Sequence, residues 1–191
     1  MTNKILIRKQ KILERDSISL QKTKAEERKI TSLFINSIGE LRLKKIGLYF
    51  SVKKEIPTSL IFDYLFKLKI KCYLPVINQN LNNRIMNFCE YDLNTTLVKN
   101  KFGIPEPLNK FEIDIYELDL VLIPLVAFDK KGYRIGMGKG YYDTTFSRKD
   151  SVKNYKIWGI CYDFQETDTC YPEEHDLKMD AIISPSGIQK F

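Results

Sequence analysis

"DLVLIPLVAF", residues 119–128, is a nearly unbroken apolar run opened by a single acid. A run of this kind suits a central strand of a parallel sheet, covered on both faces. Around it, "KIGLYFS" (45–51), "KCYLPVI" (71–77), "RIMNFCEY" (84–91) and "KIWGICYD" (156–163) read as further strands, β-rich and bounded by charge. The intervening segments have the other period. The first forty residues read as helical: Ile30, Leu33, Phe34, Ile38 and Leu41 recur at three- and four-residue steps, with Ser19 as the expected cap. Pro57 suits the first turn of a helix continued by the apolar face of Leu60, Ile61, Tyr64, Leu65 and Leu68. "YYDTTFSR" opens another helix, and 78–84 is a polar, asparagine-rich loop. Strands alternating with helices predict an α/β fold with a largely parallel sheet.

Composition narrows the class. With 191 residues, 43% of them hydrophobic and 12% aromatic, the chain can bury one sizeable core, which predicts a single domain over 1–191. The four cysteines, Cys72, Cys89, Cys161 and Cys170, form no CxxC pair. That argues against a zinc site or a disulfide framework, and for buried thiols in a reducing compartment. The charged start lacks a signal-peptide core, and no apolar run is long enough to span a bilayer, so a cytoplasmic location is expected. The formal charge of +7, from 31 basic and 24 acidic residues, favours anionic partners. The cations are dispersed rather than clustered, and no RNA-binding motif is evident, so nucleic acid is not the expected partner.

Just beyond the apolar run lies "GYRIGMGKGYYD" (132–143), which holds four of the chain's nine glycines beside Arg134, Lys139 and Asp143. Glycine accepts positive φ and allows close approach to the backbone, so consecutive N–H groups can converge on an anion. In open α/β sheets, ligands gather at the carboxyl ends of strands, where this stretch falls. Two familiar nucleotide motifs do not fit. A Walker loop needs Ser or Thr after its Lys, whereas Gly140 follows Lys139, and the spacing Gly136-x-Gly138-x-Gly140 is not the dinucleotide fingerprint. Spacing alone leaves a phosphate cradle and a structural turn equally open.

A longer match carries more. "PLVAFDKKGYRIGMGKGYYD" (124–143) resembles the P-x-x-A-F-D…G-x-R-[LI]-G-x-G-x-G-Y-Y-D signature of the 5-formyltetrahydrofolate cyclo-ligases, also called 5,10-methenyltetrahydrofolate synthetases. "KILIR", "FSVKKEIPT", "FGIPEP" and "EHDLKMDAII" support it in the family's order, from one end of the chain to the other. The resemblance implies a three-layer α/β sandwich, similar to sugar-phosphate isomerase and CoA-transferase folds. It also implies an enzyme that closes 5-formyltetrahydrofolate, with its polyglutamates, to 5,10-methenyltetrahydrofolate using ATP and Mg2+, acting as a monomer.

The resemblance further assigns roles. Lys4 and Arg8 fall to the ATP phosphates, with Arg134, Ile135, Gly136, Met137, Gly138, Lys139, Gly140, Tyr141 and Tyr142 around the nucleotide. Phe50, Glu55 and the stretch from Met137 to Tyr141 fall to the folate, and Asp143 and Asp176 to the metal. Arg8, Arg134 and Glu55 are the expected catalytic groups. Taken singly, each residue has a plainer reading: Lys4 and Arg8 as surface cations, Glu55 as a solvated acid before a helix, Phe50 and the tyrosines as core, and Asp143 as a helix-dipole partner. His175, the only histidine, is assigned no role.

Overall fold

The computed structural model describes residues 3–39, 41–77, 84–108, 111–146 and 155–191. The polar loop expected at 78–84 falls outside the described residues except for Arg84, as do Ser147 and Arg148.

Two helices come first, α1 (Asn3–Asp16) and α2 (Leu20–Ile38). The break between them is set by Ser19, whose hydroxyl accepts from the Lys22 N–H and caps α2 as expected. Strand β1 (Lys45–Gly47) leads through a long connection to α3 (Ser59–Lys67), then β2 (Lys71–Ile77), β3 (Met86–Tyr91), β4 (Leu97–Lys99), β5 (Pro105–Pro107) and β6 (Glu112–Ile113). The remaining elements are β7 (Leu120–Pro124), β8 (Ala127–Phe128), β9 (Arg134–Ile135), α4 (Tyr141–Phe146), β10 (Lys156–Ile160), β11 (Ala181–Ser184) and β12 (Gly187–Lys190).

Eight strands form one sheet in the order β12-β11-β10-β7-β1-β2-β3-β6. The five central strands, β11 to β2, run parallel, and the outer strands are antiparallel to their neighbours. Side chains alternate across β7. Leu120 and Leu122 join Ile30, Phe34, Ile61 and Leu65 of α2 and α3 on one face. Val121 and Ile123 meet Phe88, Phe146, Tyr155 and Ile157 on the other. The sheet is therefore the middle of three layers. One outer layer is α2 with α3; the other is built from α4, a 3-10 turn at Ile115–Glu117 and connecting segments. Helix α1 packs elsewhere: Ile7 lies with Ala127, Ile135 and Cys170 beside the β8–β9 ribbon.

Several boundaries differ from the sequence reading. The run 119–128 is two strands, because at the break the Leu125 and Val126 carbonyls accept from the Gln165 side-chain amide. The run 156–163 ends at Ile160 and turns into a 3-10 segment at Asp163–Gln165. Segment 45–51 is a strand only to Gly47. Pro57 precedes α3 rather than entering it: Thr58 is the N-cap residue, and its hydroxyl donates to the Tyr49 carbonyl instead of capping the helix.

Gly159 in β10 marks the tightest point of the packing. A Cβ there would sit 2.6 Å from Leu125 Cδ2 and 2.8 Å from Met179 Sδ. Gly159→Ala is expected to destabilise the fold by about 1–3 kcal/mol, measured by urea denaturation. An unchanged midpoint would show that the core is looser than this contact implies.

Candidate functional site

Past Pro124 the chain leaves the sheet and doubles back as the β8–β9 hairpin, pairing Ala127 with Ile135 and Phe128 with Arg134. Asp129, only 1% exposed, builds its turn. One carboxylate oxygen accepts from the N–H groups of Lys131 and Tyr133, and the other from Cys170 N–H. The acid of the FDKKG segment is thus spent on backbone. Gly132 has φ +88°, and a Cβ there would meet the Phe191 ring at 2.7 Å, so only glycine fits.

The hairpin delivers the loop 136–140. Gly138 and Gly140 have φ of +85° and +72°, a region that side chains rarely adopt. The Arg8 Nε–H donates to the Gly136 carbonyl at 2.8 Å. The Arg8 guanidinium also lies 3.3 Å from where a Gly138 Cβ would be, and Arg84 Nη1 lies 3.4 Å from the equivalent point on Gly140. Among the described residues, none of the backbone N–H groups from Gly136 to Gly140 has a hydrogen-bond acceptor. Lys139 is exposed and makes no ion pair with any described residue. The loop therefore presents a run of open donors between two guanidinium groups. Helix α4, which follows, has only six residues, so its dipole adds little.

The other expected cations are engaged. Arg134, 7% exposed, bonds Asp143 at 2.9 Å and the Leu177 carbonyl at 3.1 Å. Asp143 also accepts from Leu177 N–H at 3.2 Å, which sets it beside the Asp176 segment. Lys4 bonds Asp176 at 2.6 Å and Glu173 at 3.1 Å. Burial would lower the Lys4 pKa, but bonds to the two carboxylates outweigh it and raise it. Partial burial likewise works to raise the Asp176 pKa, and the bonds from Lys4 and the Glu173 N–H hold it below its ordinary value. Each expected metal ligand is therefore paired with a cation, Asp143 with Arg134 and Asp176 with Lys4. Among the described residues, no group of three His, Cys, Asp or Glu side chains offers a metal cage. Two carboxylates fit Mg2+ of the kind that takes most of its ligands from phosphate and water.

Glu55 is 7% exposed, not the solvated acid its sequence context suggests. Lys53 and Lys54, both with positive φ, fold the chain so that Val52 N–H donates to Glu55 Oε2 at 3.1 Å. Lys54 anchors this turn to the carbonyls of Asp16 and Ile18. Burial pushes the Glu55 carboxyl up, opposed by the Val52 N–H, Arg15 and Lys53. Burial, with Glu55 close by, also pushes the Tyr142 phenol well above its usual range. Tyr142 stacks on Phe146, and Tyr141 meets Phe102 edge-on. The Phe50 ring is directed at Phe62 and Tyr91 instead, within an aromatic group beside α3.

Arg15, Arg84, Asp129 and Glu173 carry contacts here that the sequence reading did not assign. One signal was available. Lys4, Arg8, Lys11 and Arg15 recur at helical spacing, and all four reach from α1 to partners beyond the helix.

Fold and site together define an α/β chain that presents a cation-flanked glycine loop at the carboxyl end of a parallel sheet. A family model described as the 5-formyltetrahydrofolate cyclo-ligase family matches residues 1–185. The chain is 34% identical to a Haemophilus influenzae protein named 5-formyltetrahydrofolate cyclo-ligase, over 86% of this chain and 88% of the relative. A Mycoplasma genitalium protein of the same name is 31% identical over 96% and 98%. Among solved structures, a 5,10-methenyltetrahydrofolate synthetase from Mycoplasma pneumoniae superposes with TM-score 0.78 and 25% identity, over 95% of this chain and 98% of that one. One from Aquifex aeolicus gives TM-score 0.83 and 25% identity over 99% and 93%. This chain belongs to the 5-formyltetrahydrofolate cyclo-ligase family, a family of enzymes.

The loop geometry separates two glycines that look alike in sequence. Gly138→Ala is expected to cost about 1–2 kcal/mol, because φ is positive and Arg8 lies against it. Gly136→Ala, with nothing within 4 Å, is expected to cost less than half of that. Equal losses in thermal unfolding would contradict this placement of Arg8.

Proposed function

We propose that the chain converts 5-formyltetrahydrofolate to 5,10-methenyltetrahydrofolate with ATP, giving ADP and phosphate. The observation that carries this is the run of N–H groups from Gly136 to Gly140 that have no acceptor among the described residues, between Arg8 and Arg84 and topped by Lys139.

Ring closure by direct loss of water is slow because hydroxide leaves badly from a formamide carbon. Phosphorylation supplies a better leaving group. The formyl oxygen attacks the γ-phosphorus while the bond to the ADP oxygen breaks, giving an iminium phosphate at N5. N10 then adds to the formyl carbon, the C–O bond to phosphate breaks, and the N10 proton departs. The product is the N5–N10 methenyl cation with free phosphate.

Such chemistry demands positioning and charge neutralisation more than a nucleophile. The 136–140 donors and Lys139 suit the triphosphate, and Arg8 lies beside the loop to meet the transferring group. Lys4 and Arg134 extend the cationic wall. Asp143 and Asp176 would hold Mg2+, which supplies neutralisation of phosphate charge when bound. Buried Glu55 is the group suited to accept the N10 proton, its raised pKa bringing it closer to neutrality. Met137, 39% exposed, and Tyr141 are the loop side chains offered to the folate, with Phe50 five residues before Glu55 in sequence.

Purified protein mixed with 5-formyltetrahydrofolate and Mg-ATP is expected to develop the methenyl chromophore, and omission of ATP to abolish it. Lys139→Ala should fold normally, since the side chain is exposed and makes no ion pair with any described residue, yet lose ~10²–10³ in turnover. Raising ionic strength should weaken apparent ATP affinity, because the loop's charges are solvent-facing. No chromophore from well-folded wild-type protein would reject the assignment.

A further inference from the structure

Arg15 is the most deeply buried cation of the described chain, 1% exposed, and its contacts are poor. Its Nε–H has no acceptor among the described residues. Nη1 lies 3.5 Å from the Leu125 carbonyl and 3.8 Å from Glu55 Oε1, and Nη2 lies 3.9 Å from Met137 Sδ. A guanidinium with five donors, buried and so loosely held, is expensive as a purely structural element. Its position is informative. The three groups it touches are the end of the central strand, the loop methionine and the buried carboxylate. Arg15 thus bridges Glu55 to Met137 of the glycine loop.

We propose that Arg15 is a positioning residue for this reaction, holding the Glu55 carboxylate ionised and aimed, and coupling it to the loop through Met137. The inference rests on the reading of Glu55 given above. Arg15 acts through Glu55 and need not touch substrate. Among the described residues, the groups facing Glu55 are Arg15 from α1, the Val52 N–H and Lys53 from its own turn, Tyr49 from the chain leaving β1, and Tyr142 from α4. Burial raises the Glu55 pKa, and Arg15 is the cation from another element that opposes it. Removing that charge sends the carboxyl further up, so the ionised form is reached only at higher pH.

The test is the pH dependence of kcat/KM for 5-formyltetrahydrofolate at saturating Mg-ATP. In Arg15→Gln the acid limb is expected to move to higher pH, with kcat/KM at neutral pH falling by ~10²-fold and the KM for ATP nearly unchanged. Arg15→Lys, which keeps the charge but not the fork, should restore part of the limb's position. It is also the variant to read if Arg15→Gln does not fold. Glu55→Gln should lose the limb, and adding Arg15→Gln to it should shift nothing further. An acid limb unmoved in a folded Arg15 variant, or one that persists in Glu55→Gln, overturns the proposal. If wild-type protein forms no methenyl product, the functional reading itself fails, which is a separate result.

Discussion

Two ion pairs hold the site's separate pieces together. Lys4 with Asp176, and Arg134 with Asp143, join α1, the hairpin, α4 and the segment before β11. These pieces come from both ends of the chain and share no strand of the main sheet. The Arg134–Asp143 pair is the more protected, with side-chain exposures of 3% and 27%, so its geometry is the less screened by solvent. The bond from Leu177 N–H to Asp143 then ties α4 to the segment that carries Asp176. Lys4 and the Glu173 N–H hold the Asp176 carboxyl below its ordinary value, and Arg134 pairs with Asp143. Under the proposed function, an arriving phosphate and metal would have to compete for groups that already satisfy each other.

Helix α1 has an unusual task in an α/β fold. It covers neither broad face of the sheet but lies beside the hairpin at the carboxyl end, with a row of cations turned inward. The chain's positive charge is therefore not all solvated surface. Part of it is aimed at one place, and the polyanionic character of ATP and of a glutamate-tailed folate would match it.

The legible and illegible parts of the chain divide on physical lines. The apolar run at β7, the α2 stripe with its Ser19 cap, and the glycine loop were readable because period, capping and φ are local properties. The antiparallel run of β3 was not, since a strand's own residues do not name its neighbour's direction. Glu55 resembled a surface acid because its burial comes from the paired positive-φ lysines before it and from Arg15 on a remote helix. Arg15 itself looked like any basic residue at a helix end. Lys4 and Asp176 were each singled out by resemblance, but their mutual bond spans nearly the whole chain and no spacing announces it.

The strand order has a kinetic consequence. β1, near the start, lies between β2 and β7, while β7 waits on β10 for its other edge. The central hydrogen bonds therefore join segments widely separated along the polypeptide. Loop-closure entropy opposes such pairings before their packing can reward them, which puts the chain among slow-folding topologies. During synthesis β1 can pair early with β2, but its other edge stays open until β7 has been made, and the far edge of β7 until β10 follows.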